Sequence, residues 1–174
     1  LSVEPDIDAL LDSADELPVT WIKEQYQLAA VIEALDGCGR VALDTEFIKR
    51  DTYYPILALV QINTGEHIYL LDAPKLQLGD FWQALSEVDI AIWHACGEDL
   101  GIFYLLSDCP PLANIFDTQI ALSYLTGQLQ MGYQQAVSYT HLTLPTIPLV
   151  QISVVAVSSK KTTLRDLHRA MLPR

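Results

Sequence analysis

The chain has 174 residues, 51% of them hydrophobic, and a formal net charge of −12. Those numbers exclude a disordered chain and leave room for one domain with a core of its own. The charge also excludes a broad basic surface for gripping nucleic acid, though not a cleft that admits a strand end.

Residues 1–17 are acidic, with Asp6, Asp8, Asp12, Asp15 and Glu16, and read as a loosely held arm. Val19 to Ile22 suits a short edge strand. From Glu24 to Asp36 the pattern is helical: Leu28, Val31, Ile32 and Leu35 share one face, and Gly37 and Gly39 stop the run. Arg40 to Phe47 then reads as a strand, with Val41, Leu43, Thr45 and Phe47 on one face and Ala42, Asp44 and Glu46 on the other. A strand this apolar belongs inside a sheet covered on both sides. Asp44 and Glu46 therefore point at one spot, where two like charges cost free energy unless a cation neutralises them. Their oxygen ligands suit Mg²⁺ or Mn²⁺. The plainer alternative is two solvated acids at a strand end.

A loop from Ile48 to Pro55 follows and holds Lys49, Arg50, Tyr53 and Tyr54. Ile56 to Asn63 makes another strand, and Thr64-Gly65-Glu66 turns it into His67 to Leu71. Asp80 to Val88 is a short helix burying Phe81, Trp82, Leu85 and Val88, and Ile90 to Trp93 is a strand ending at His94. Glu98 to Leu106 is helical, with Glu98 and Asp99 in a first turn that favours carboxylates on dipole grounds alone. After Pro110 and Pro111, Asn114 to Phe116 makes a short strand. Asp117 caps a helix whose inward residues are expected to be Ile120, Ala121, Tyr124 and Leu125. The element order gives an α/β fold with a mixed sheet, antiparallel first and parallel later.

Three groups of residues then agree in order and spacing: Leu43-Asp44-Thr45-Glu46-Phe47; Thr52-Tyr53-Tyr54-Pro55 with Gln61; and His94-Ala95 with Glu98-Asp99-Leu100. Together they resemble the ribonuclease D family, part of the DEDD superfamily of 3′-to-5′ exonucleases. Asp117-Thr118-Gln119 and Met131-Gly132-Tyr133 sit where that family has similar residues. The resemblance implies a ribonuclease H-like mixed sheet flanked by helices, incomplete at the C-terminus. It makes Asp44, Glu46 and Asp99 the catalytic metal ligands for two divalent ions, Mg²⁺ or Mn²⁺, about 3.5–4 Å apart. It implies RNA 3′ ends, transfer RNA precursors among them, as the partner, with no membrane and no obligate protein partner. Phe47, Lys49, Arg50, Tyr53, Tyr54 and His94 become candidate substrate contacts. For each a plainer role stands beside it: core packing for Phe47, a solvated loop for Lys49 and Arg50, loop packing for the tyrosines, and a structural histidine for His94.

The chain departs from that family at its end. The family's third motif, Tyr-x-x-x-Asp on a later helix, is absent after Asp117, where the remaining acid is Asp166 and Thr162 stands four before it. Composition changes at the same place: residues 1–136 hold 21 of the 22 acids and five of the ten basic residues, for −16, whereas residues 137–174 carry +4. Val137 to Thr146 and Ile152 to Ser158 resemble a translated sequencing adapter. The organisation expected is therefore an arm (1–17), a partial exonuclease domain (18–136) and a non-native tail (137–174), with an inactive or nearly inactive chain and exposed apolar surface. Two rivals remain: a DNA-directed relative, and a degenerate module that binds RNA or protein without cutting. Cys38, Cys96 and Cys109 lack zinc-ligand spacing, no apolar run reaches membrane-spanning length and no secretory signal opens the chain. A reduced, cytoplasmic protein is expected, with its natural N-terminus upstream of Leu1.

Overall fold

Strand β2 (Arg40–Ile48) lies inside the sheet, as its apolar run requires. A computed structural model of the chain describes residues 17–48 and 54–136. The other elements are β1 (Val19–Ile22), α1 (Leu28–Leu35), β3 (Ile56–Asn63), β4 (Ile68–Asp72) and α2 (Gly79–Glu87). They are followed by β5 (Ile90–Trp93), α3 (Gly97–Leu106), β6 (Ile115–Asp117) and α4 (Thr118–Thr126). Short 3₁₀ turns at Gln25–Gln27 and Ala73–Lys75 precede α1 and follow β4.

Among the described residues six strands form one sheet in the order β1-β4-β3-β2-β5-β6. β2, β3 and β4 run antiparallel as a meander, while β5 and β6 add in parallel on one side and β1 in parallel on the other. The sheet is therefore mixed, and β1 is an edge as its sequence suggests. Between Glu46 and Phe47 the β2–β3 register slips, a bulge directly after the acidic pair.

One face of the sheet carries the main core. Val41 and Leu43 of β2 meet Val31 and Leu35 of α1, Phe81 and Trp82 of α2, and Phe103 of α3 in one cluster. Trp82 sets its ring edge-on to Phe103 at 5.6 Å, locking α2 to α3. Ala42 lies on the other face with Ile92, packed by Ile90 and Phe116, and alternation puts Asp44 and Glu46 on that same face.

Helix α4 departs from expectation. Ile120, Tyr124 and Leu125 are exposed, with Tyr124 at 87%, and Ala121 is only half-buried. Thr118 and Leu122 turn inward instead, and Leu122 packs with Met131 and Ala136. The physical reason lies in how the helix starts. Asp117 caps it while pairing with Trp93 on β5, which points the Thr118–Leu122 line at the sheet. The acidic arm up to residue 16 and the whole of 137–174, Val137 to Thr146 and Ile152 to Ser158 included, lie outside the described residues. No helix among the described residues is long and apolar enough to cross a membrane.

Candidate active site

The ladder between β2 and β5 ends at Ala42–Ile92, so the next residues of β2 continue past the end of β5. Asp44 and Glu46 stand on that stretch. Across the gap comes the first turn of α3, which follows β5 after a three-residue turn, His94 to Cys96. In open α/β sheets such a crevice beyond the carboxyl ends of parallel strands is where ligands bind.

Asp99 does not cap its own helix. Its Oδ1 accepts the Thr45 backbone N–H at 3.1 Å and the Thr45 hydroxyl as well, so the carboxylate is fixed to β2 between Asp44 and Glu46 in sequence. Asp99 stays in the first turn of α3, where the dipole favours it, and adds this tertiary tie. Burial pushes the Asp99 carboxyl above the ordinary range and the nearby charge of Asp44 adds to the push, while the Thr45 hydrogen bonds work against it. Gln61, buried on β3 directly opposite Asp44, donates its Nε2 to Asp44 Oδ2 at 3.1 Å. Its Oε1 is buried with no hydrogen-bond partner among the described residues.

A second layer surrounds these acids. His94 Nδ1 lies 2.9 Å from the Thr118 hydroxyl, which itself donates to the Trp93 carbonyl at 2.9 Å. The hydroxyl proton being spent on Trp93, Nδ1–H of His94 is the donor. His94 also meets Tyr133 edge-on, ring centroids 5.5 Å apart. Burial pushes the Tyr133 phenol above its ordinary range, and the charge of Asp44 pushes it the same way. Asp117 accepts Ala95 N–H at 3.1 Å and Cys96 N–H at 3.0 Å while capping α4 through Gln119 and Ile120. Burial would raise the Asp117 carboxyl, but the hydrogen bonds from Cys96, Ala95 and Gln119 hold it below the usual carboxylate range.

The structure brings Asp44, Asp99 and His94 into one neighbourhood, with Glu46 next along β2. Phe47, after the bulge, packs against the main core. Tyr54 is exposed at the start of the segment leading into β3. Lys49, Arg50 and Tyr53 lie outside the described residues. Thr45, Thr118 and Tyr133 stood inside the motifs that carry the resemblance but were given no role of their own, and the second role of Asp117 was not read.

Among the described residues no three His, Cys, Asp or Glu side chains converge into a cage for a metal ion. Mg²⁺ does not ask for one, since it keeps several waters and takes one or two carboxylates plus substrate phosphate oxygens. The donor set here is all hard oxygen. The residues therefore fit a hydrated divalent cation.

A mixed sheet with an acidic pair on a central strand, and a third carboxylate delivered by the helix after the next parallel strand, defines the ribonuclease H-like nuclease class. The profile of a family described as 3′-5′ exonuclease matches residues 19–167. The chain belongs to this 3′-5′ exonuclease family and is of the ribonuclease D type. It is 36% identical over 121 residues to a ribonuclease D of Pseudomonas paraeruginosa, covering 68% of this chain and 32% of that protein. It is likewise 36% identical over 124 residues to ribonuclease D of Escherichia coli, covering 67% and 32%. The crystal structure of E. coli RNase D, described as an exoribonuclease involved in structured RNA processing, superposes with a TM-score of 0.64 at 26% identity. That match covers 88% of this chain and 46% of the other. The chain spans 32% of the length of each of these two curated relatives.

Proposed function

We propose that this protein is a 3′-to-5′ exoribonuclease that trims the 3′ ends of transfer RNA precursors and other structured RNA, in the cytoplasm. Asp44, Glu46 and Asp99 would hold two divalent ions, Mg²⁺ or Mn²⁺. The observation that supports the reading is the tie from Asp99 to Thr45, which holds the third carboxylate against β2. Ions bound there would activate water and offset the charge that builds on the scissile phosphate.

The chain's own groups do the rest. Thr45 and Gln61 hold Asp99 and Asp44 against rotation, so the carboxylates meet a ligand already oriented. Tyr53 and Tyr54 would supply aromatic faces for the terminal nucleotides, and Lys49 and Arg50 charge for phosphate oxygens, while Phe47, packed on the core, would reach a nucleotide only by its uncovered edge. His94 borders the site. A surface as acidic as residues 1–136 holds RNA poorly by itself, so binding depends on the ions. Residues 137–174, read as a non-native tail, supply no Tyr-x-x-x-Asp. On this reading the 174-residue chain binds ions but turns over RNA feebly or not at all.

The test is release of 3′ mononucleotides from a 3′-labelled RNA with Mg²⁺ present. The given chain is expected to release none above background, and a chain carrying Tyr-x-x-x-Asp after Val137 to release them until Asp44→Ala is introduced. Robust trimming by the given chain, abolished by Asp44→Ala, would overturn the inactivity. No trimming by the completed chain would favour the binding module. Trimming of matched DNA in preference to RNA would favour the DNA-directed rival.

A further inference from the structure

Helix α3 starts without a side-chain cap of its own, because Cys96 stands at its N-cap. Ala95, just before it, has φ +59°, a left-handed conformation that favours glycine. A turn with neither cap nor glycine needs support from elsewhere, and the neighbouring strand supplies it. Asp117 Oδ1 accepts Ala95 N–H and Oδ2 accepts Cys96 N–H. The Thr118 hydroxyl donates to Trp93 O and receives His94 Nδ1. Four consecutive residues, 93 to 96, are thus each held by the Asp117-Thr118 pair. β6 anchors that pair in parallel register with β5, at Trp93–Asp117. Asp99 follows three residues after Cys96, and its reach to Thr45 depends on how the first turn of α3 is aimed.

We infer that Asp117 and Thr118 are positioning residues: they brace the β5–α3 turn so that Asp99 is delivered to the acidic site on β2. The inference rests on the reading of Asp99 as a ligand for a divalent ion. Asp117 does more than cap α4, and its two oxygens divide the work. Oδ1 serves α4 and Ala95, while Oδ2 serves Cys96. Asp117→Asn therefore separates the roles. The amide oxygen keeps the α4 cap, but its NH₂ faces the Cys96 N–H and has no lone pair to offer.

The experiment is Mn²⁺ titration of the full chain, free ion read by electron paramagnetic resonance, with circular dichroism on each sample. Asp117→Asn is expected to weaken Mn²⁺ binding about 10-fold with helix content unchanged, the size of loss usual when a ligand's support is removed. Adding Ala95→Gly, which frees the turn of its left-handed strain, is expected to restore most of that affinity. If Asp117→Asn fails to fold, Thr118→Val, which deletes only the hydroxyl, carries the test and should weaken Mn²⁺ in the same direction. Asp99→Asn separates the two claims. Should it leave Mn²⁺ binding unchanged, the ligand reading falls and the brace with it. Loss in Asp99→Asn with full affinity in folded Asp117→Asn and Thr118→Val would overturn the brace alone.

Discussion

Thr45 gives both its backbone N–H and its hydroxyl to one oxygen of Asp99. The two residues are 54 positions apart, and the pair joins the central strand to the first turn of α3. A hydrogen bond to a charged group contributes more than a neutral one, and Thr45 is buried at 6% exposure. Thr45→Val keeps the shape and deletes the hydroxyl. It is expected to lower stability by about 2 kcal/mol in urea denaturation, and to weaken Mn²⁺ binding. A variant as stable as the parent would show the hydroxyl to be incidental.

Asp117 gives a pH signature. Its carboxyl is held below the usual range in the fold, so the stability it contributes is complete above the unfolded value of about 3.9. That contribution is lost as pH falls from there through the lowered native value. Asp117→Asn lacks a titrating group at this position. The stability gap between parent and variant should therefore be widest at neutral pH and narrow below about pH 4, read from urea midpoints across a pH series. A gap that stays constant down to acid pH would contradict the bonding described.

Cys96 should be inert. Burial pushes its thiol up to about 12, and the hydrogen bond and charge of Asp117 and then the charge of Asp99 add to the effect. Thiolate is the nucleophile, so iodoacetamide on the native protein should modify the half-buried Cys38 and Cys109 well before Cys96. Peptide mapping by mass spectrometry measures this. Equal labelling of all three would mean that the β5–α3 turn opens freely.

Helix α4 offers a contrast between its faces. Tyr124→Lys, on the exposed side, is expected to change stability by less than about 0.5 kcal/mol and to improve solubility. Leu122→Ala, on the buried side, is expected to cost about 2–5 kcal/mol. Thermal or urea unfolding of the two variants decides, and the reverse ranking would restore the face that periodicity alone suggests.

That helix also shows where sequence stops speaking. Ile120, Ala121, Tyr124 and Leu125 form a legitimate apolar stripe, but which stripe faces the core was decided by Asp117 and its register with β5. Elements whose signal is local were legible: β1 and β5 have the bounds read from sequence, and α2 buries Phe81, Trp82 and Leu85 as its spacing indicates. The acidic pair was legible for the same reason, since Asp44 and Glu46 interrupt an apolar strand. The tie of Asp99 to Thr45, the double duty of Asp117 and the packing of Tyr133 on His94 were not. Each joins residues far apart in the chain, and each residue has an ordinary local explanation when read alone.

The most direct test of the account is Mn²⁺ titration of the chain beside Asp44→Asn and Asp99→Asn. Mn²⁺ is expected to bind, to be displaced by Mg²⁺ and to be held about 10-fold or more weakly in both variants. Binding that is absent, or indifferent to both substitutions, would mean that these carboxylates are solvated acids at a strand end, and the exonuclease site would not be where it is placed here.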